Sequence, residues 1–168
     1  MPFNRLGDLT HEFLGNIELT VDGRRIEPNQ HLNYKGCMFS DVPNLAYTFG
    51  YTNASWTLKC DLTCEYVCRL LRHMDKHGYR QCTPRNNDPT ITEVPWIDFS
   101  SGYVQRAIDR LPRQGSRVPW KLHQNYLLDL LTLRFGAIDD GSLELVPAPG
   151  GRASTRAAKL PSTTSDPA

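Results

Sequence analysis

The chain has 168 residues, 39% of them hydrophobic, and a net charge of +1; this suits one ordinary domain with an adequate core and supplies no strong field for nucleic acid or anionic lipid. No apolar run approaches the roughly 18–20 residues of a membrane span, so no transmembrane segment is expected. The N-terminus, MPFNRLGDLTHEF, lacks an apolar core followed by a small-residue cleavage pattern, and the expected location is the cytoplasm.

The cysteines are Cys37, Cys60, Cys64, Cys68 and Cys82. An odd count without a secretion signal predicts free thiols rather than a disulfide framework. The last stretch, Pro147 to Ala168, carries Arg152, Arg156, Lys159 and Asp166, a charge of +2, which leaves the remaining body near −1.

In chain order, Met1 to Asn16 shows no pattern. Ile17 to Val21 alternates apolar and polar side chains as a half-buried strand does. Asp22-Gly23 is a two-residue turn signal, and Arg24-Arg25-Ile26 is the short return strand, stopped near Pro28. Tyr34 to Phe39 is a short strand or an ordered loop. Asp41-Val42-Pro43-Asn44 is turn chemistry, because Pro43 fixes its own φ and biases Val42 toward an extended form. Leu45 to Tyr51 is apolar on both faces, as in a strand covered on both sides.

A long helix follows. Thr52, Asn53 and Ser55 are the candidate N-caps, worth about 1 kcal/mol. Trp56, Cys60, Val67, Leu70, Leu71 and Met74, with Tyr66 beside them, mark its expected apolar face. Glu65 and Arg69 form an i, i+4 pair. Arg72, His73, Lys76 and His77 crowd the end, where positive charge is tolerated, and Gly78 is the stop. Gln81 to Val94 is polar and contains prolines, which predicts a surface connection. Pro95 to Phe99 is a short extended piece. Ser100 or Ser101 caps a second helix through Leu111, ended by Pro112. Arg113 to Val118 is a basic, turn-rich linker. A third helix spans Trp120 to Phe135, its apolar face supplied by Leu122, Tyr126, Leu127, Leu130, Leu131 and Leu133. Ser142 to Val146 is a terminal strand, and from Pro147 onward the composition predicts disorder.

The most informative words are YKGCMFSDVPNLAYTFGYTNASWTLK (Tyr34–Lys59), CRLLRHMDKH (Cys68–His77) and QGSRVPWKLHQNY (Gln114–Tyr126). A strand, a tight turn and a helix start in the first of these is how α/β proteins present backbone N–H groups to an electron-rich ligand. The three word groups, in this order, resemble the C-terminal part of flavin-dependent monooxygenases of the Baeyer–Villiger type, over about Ile17 to Val146. The resemblance implies an α/β fold: a partial FAD-binding, Rossmann-like domain with a small β-hairpin and three helices, then a disordered tail. It divides the chain into a leader (1–16) outside the family pattern, the monooxygenase part (17–146) and the tail (147–168). It implies FAD and NADP as cofactors, and a ketone or thioether-like substrate that receives one oxygen atom from O2. The strand end and helix start that face the flavin are then Tyr51, Thr52, Asn53, Ala54, Ser55 and Trp56. Amides of a helix start stabilise the negative charge that flavin reduction places near the pyrimidine end of the ring.

Several family features are absent. No GxGxxG occurs, so neither pyrophosphate has its usual cradle. The FxGxxxHxxxW fingerprint is missing, and Phe13-Leu14-Gly15 stands roughly where the family shows Ala-Thr-Gly. The expectation is a C-terminal fragment, inactive alone, whose partner is a missing N-terminal half. The rival expectation is a non-catalytic remnant or interaction module that docks on another flavoprotein chain.

Other patterns carry less. Cys60, Cys64 and Cys68 recur at i, i+4, i+8 without the paired CxxC of a zinc site, so they are expected to face a core, and no metal is expected. His73 and His77 lack the glutamate of HExxH and are expected to form a solvated helix end. Trp56, Trp96 and Trp120 are expected in the core or a domain contact rather than lining a cavity. Arg113 and Arg117 are expected in a solvated loop.

Overall fold

The computed structural model describes residues 17–51, 54–95 and 111–149. Asp22-Gly23 joins β1 (Thr20–Val21) to β2 (Arg24–Arg25), with Val21 opposite Arg24. This is the hairpin its dipeptide predicts. A second hairpin pairs β3 (Asn33–Tyr34) with β4 (Met38–Phe39). It is closed by Ser40, whose N–H donates to Leu32 O at 2.8 Å and whose Oγ accepts from Leu32 N at 3.0 Å.

The run Leu45–Tyr51 forms no strand ladder. This corrects the expectation of a strand covered on both sides. Its exposure still alternates: Leu45, Tyr47 and Phe49 are half-buried, and Ala46 and Thr48 face out. A strand requires a neighbour to take its N–H and C=O groups, and the described residues provide only scattered bonds, such as Tyr47 N to Cys37 O at 2.8 Å.

The long helix α1 runs Trp56–His77 and stops at Gly78, whose φ of 70° is the left-handed cap glycine takes without steric cost. Its buried residues are Lys59, Leu62, Thr63, Tyr66, Leu70 and Met74. Trp56, Leu71, Cys64 and Cys68 are exposed, so the helix is rotated from the face expected, and the cysteine stripe does not enter the core. Nor do Glu65 and Arg69 pair. Glu65 meets Arg134 at 3.2 Å, and Arg69 donates to Leu133 O and Gly136 O at 2.5 and 2.8 Å.

The expected surface connection after Gly78 begins as a strand. β5 (Tyr79–Pro84) pairs antiparallel with β8 (Leu143–Pro147), Cys82 opposite Leu145, with a bulge between Tyr79 and Gln81. Pro147 is thus the end of a strand rather than the start of a tail, and Ala148 N donates to Gly78 O at 2.8 Å. The expected linker also contributes a strand: β7 (Arg113–Gly115) pairs with β6 (Glu93–Pro95). The second expected helix, Trp96, the leader 1–16 and the tail from 150 lie outside the described residues.

The third expected helix begins later. Trp120 is buried in the core, edge-on to Tyr34 with ring centroids 5.4 Å apart. Helix α2 starts at Tyr126 and ends at Asp129, then passes into a π-helical stretch, Leu130–Phe135. Asn125 Oδ1 caps it, accepting from Leu127 N at 3.0 Å and Leu128 N at 3.2 Å.

The architecture is mixed α/β. The described strands form four two-stranded antiparallel pairs, and an isolated parallel bridge from Leu32 to Arg113 links the second hairpin to the β6–β7 pair; no parallel, Rossmann-like sheet occurs among the described residues. One core draws on the β3–β4 and β5–β8 pairs and on the helices. Tyr34, Cys37 and Met38 from the second hairpin, Leu62, Tyr66, Leu70 and Met74 from α1, and Cys82, Trp120, Leu133 and Leu143 are all buried.

Candidate functional site

The site predicted from sequence is the turn into α1. Tyr51 is buried, at 2% exposure, and its hydroxyl donates to Asp129 Oδ2 at 2.7 Å. Burial first, then the carboxylate it is bonded to, push that phenol well above its ordinary pKa. Thr52 and Asn53 lie outside the described residues, while Ala54 and Ser55 are exposed. Ser55 is the N-cap residue, extended at φ −63° and ψ 130°, but its side chain caps no amide; instead its Oγ lies 2.7 Å from Thr57 Oγ1. The first turn of α1 holds no acidic residue. Trp56 is 47% exposed and tilts against Phe49, centroids 5.0 Å apart. Gly50 makes this possible, because a Cβ there would sit 2.3 Å from Trp56 Cγ.

Two residues that sequence reasoning missed anchor this turn. Lys59 and Asp129 are both buried, and Lys59 Nζ stands 2.9 Å from Asp129 Oδ2. Lys59 on its helix face carries no local signal of burial. Asp129 does: it is a lone carboxylate between leucines in YLLDLLTL, where a buried charge needs a partner. A second set of the same composition lies nearer the surface. Asp140 Oδ2 is 2.9 Å from Lys35 Nζ and accepts from Tyr34 Oη at 2.8 Å. The Lys35 ammonium lies 5.1 and 5.0 Å from the ring centroids of Tyr34 and Tyr66.

Two cavities lie away from the turn. One, of about 270 Å³, is lined by residues including Glu93, Val94, Leu111 and Arg113. The other, of about 430 Å³, is lined by Cys64, Glu65, Cys68, Arg69, Arg72 and Arg134. Neither includes Trp120, whose ring lies in the core. Arg113 and Arg117 are solvated as expected, Arg113 with Glu93 at 2.8 Å and Arg117 with Asp88 at 3.4 Å. The rings of His73 and His77 lie tilted against each other at the helix end, centroids 4.3 Å apart. Partial burial, then His77 beside it, lowers the pKa of His73. Among the described residues no group of three or more His, Cys, Asp or Glu side chains is placed to hold a metal ion, and no helix is long and apolar enough to cross a membrane.

No family profile matches the chain, and no solved structure matches it. Curated sequences do. The FAD-containing monooxygenase EthA of Mycobacterium tuberculosis is 47% identical over 145 residues, 85% of this chain and 30% of its own length. The probable FAD-binding monooxygenase AlmA of an Acinetobacter species is 44% identical over 135 residues, 79% of this chain and 27% of that protein. The putative FAD-containing monooxygenase MymA of Mycobacterium tuberculosis is 44% identical over 141 residues, 83% of this chain and 28% of that protein. The chain is thus a homologue of FAD-containing monooxygenases, matching these three over 79% to 85% of its own length and spanning 27% to 30% of theirs.

Proposed function

We propose that this chain is the C-terminal part of an NADPH- and FAD-dependent monooxygenase of the Baeyer–Villiger type, which inserts one oxygen atom from O2 into ketones or onto sulfur, and that its role is to present the start of α1 to the flavin. The segment Tyr51 to Trp56, including Thr52 and Asn53, faces the ring. Leu45–Tyr51 leads into this turn in extended form, with Leu45, Tyr47 and Phe49 half-buried and Ala46 and Thr48 facing out.

The observation that carries the proposal is a helix start left uncapped by its N-cap side chain and without an acidic residue in its first turn. The Ser55 side chain does not occupy the first-turn amides, and the first turn itself holds no acidic residue that would repel an electron-rich ligand. These residues suit a ring that gains negative charge. Bound FAD supplies the redox and oxygen chemistry. The chain supplies the dipole of a 22-residue helix, worth roughly 0.3–2 kcal/mol at its start, and hydrogen bonds to a charged acceptor worth about 1.5–3 kcal/mol. Lys59 and Asp129 neutralise each other behind the turn and hold it to α2, so the field there is set by the helix. Trp56 rests its ring on Phe49 beside the turn.

The test is co-expression of this chain with the preceding polypeptide of a relative such as EthA. The expected result is a purified assembly with flavin absorbance that oxidises NADPH. Co-purification without flavin would overturn the proposal. A second reading, a non-catalytic module seated on another flavoprotein chain, is favoured by the outward apolar side chains Leu127, Leu131 and Phe135, at 65%, 59% and 69% exposure. That reading predicts stable association with a flavoprotein whose NADPH oxidation is the same with and without this chain.

A further inference from the structure

α1 and the helical segment Tyr126–Phe135 run side by side in the same direction: Lys59 meets Asp129, Glu65 meets Arg134, and Arg69 reaches Leu133 O and Gly136 O. Beside their middle turns opens the groove of about 430 Å³ that contains Cys64, Cys68 and three arginines. We infer that this groove is a thiol-modification site for anionic low-molecular-weight disulfides, with Cys64 and Cys68 as the attacking groups.

Three observations support it. First, these two thiols are free and exposed, whereas Cys37 and Cys82 are buried and Cys60 is half-buried, its sulfur accepting from Thr48 Oγ1 at 3.1 Å. Second, Cys64 and Cys68 lie one helical turn apart, which holds their Cβ atoms about 5–6 Å from each other. A disulfide requires about 3.5–4.5 Å, so an intact helix keeps the pair from closing on itself and leaves each thiol for an outside partner. Third, the groove is cationic. The Arg69 guanidinium is fixed by two carbonyl oxygens, which orient it without cancelling its charge. Arg134 is paired with Glu65. Arg72 is exposed and has no carboxylate partner among the described residues. Reactive thiols typically occupy such partly exposed, positive surroundings, and fixed guanidinium groups suit the carboxylates of a small acidic disulfide.

The step is thiol–disulfide exchange. The thiol of Cys64 or Cys68 gives its proton to solvent, and the thiolate attacks one sulfur of the disulfide. A protein–ligand S–S bond forms as the ligand S–S bond breaks. The departing thiolate takes a proton from water. The protein sulfur is oxidised and half of the small disulfide is reduced, with no further electron donor or acceptor. This inference does not depend on the flavin assignment.

The test uses the full chain with oxidised glutathione as the anionic probe and bis(2-hydroxyethyl) disulfide as the neutral one, with adducts located by peptide mass mapping. The expected result is adduct on Cys64 and Cys68 before Cys60, and none on Cys37 or Cys82. The anionic probe gains an advantage of about tenfold relative to a free cysteine control. That advantage shrinks in Arg72→Gln and disappears at high salt, and the Cys64→Ser/Cys68→Ser variant loses the adducts. An equal anionic-to-neutral ratio in the parent and Arg72→Gln chains would overturn the inference. So would modification of Cys60, or of the buried Cys37 and Cys82, ahead of the groove pair.

Discussion

The phenol of Tyr51 donates to Asp129 Oδ2 at 2.7 Å across 78 residues of sequence. The same oxygen lies 2.9 Å from the Lys59 ammonium. One carboxylate therefore ties the residue before the turn, the first turn of α1 and the end of α2 together, and the geometry of the candidate flavin-facing turn is set from the C-terminal side of the chain.

Asp129→Ala leaves a buried ammonium unpaired and a phenol without its acceptor. The expected loss is about 3–5 kcal/mol, read as a lower urea midpoint with an unchanged slope. Replacing the whole set, Lys59→Met and Asp129→Leu with Tyr51→Phe, is expected to recover most of it, since an apolar set of similar volume carries no desolvation cost and leaves no hydroxyl without an acceptor. A single-variant loss below about 1 kcal/mol would mean that the pair is solvated.

Gly50→Ala places a methyl group 2.3 Å from Trp56 Cγ and 2.7 Å from Trp56 Cα. The second contact is backbone, so turning the indole aside does not relieve it. The expected cost is about 1–3 kcal/mol, and Trp56→Ala in the same chain is not expected to restore it. Full rescue by the double variant in thermal unfolding would show that only the side chain is in the way.

Stability is expected to fall on the alkaline side. Burial pushes the Cys37 thiol from 9.0 up to about 12, and burial is also the largest cause raising Tyr34 and Tyr66. The unfolded thiol ionises near its ordinary value while the folded one stays neutral. Its contribution is thus whole below about pH 9 and is lost as the pH rises toward 12. Within that window each such group costs about 1.4 kcal/mol per pH unit. Denaturant midpoints from pH 8 upward are expected to decline, and Cys37→Ala is expected to make the decline shallower. A flat profile to pH 11 would contradict this burial-driven account.

Ser55→Asp separates the structural from the flavin-facing role of the helix start. A carboxylate at this uncapped position is expected to stabilise the isolated chain by about 0.5–1 kcal/mol, through the cap and the dipole. In the co-expressed assembly the same charge faces an electron-rich ring, and flavin retention is expected to drop. A gain in both stability and flavin retention would argue against the ring lying there.

Features decided by neighbours along the chain were legible in the sequence. Asp22-Gly23, the helix from Trp56 with its stop at Gly78, and the strand near Leu143 all followed from local rules. The face of α1 did not. Lys59 and Thr63, which are buried, are not among the residues of the expected apolar face, whereas Trp56 is, and the cysteine stripe is expected to face a core. Asp129 makes burial of the lysine possible, and the whole helix turns with it. Likewise Gln81 to Val94 is expected as a polar connection, and its start lies in the strand Tyr79–Pro84 because the partner, Leu143–Pro147, is far away in sequence. Leu45–Tyr51 looked like a covered strand, but no described neighbour completes its ladder.

By itself, the sequence determined the kinship with flavin monooxygenases and the elements whose hydrogen bonds close within a few residues. Tertiary structure alone decided which side of the long helix is buried, where Asp129 anchors the turn, and that Cys64 and Cys68 face outward among arginines. The reason is physical. A turn or a helix is satisfied by its own backbone, whereas a buried charge or a strand edge is satisfied only by a partner that folding brings from elsewhere in the chain.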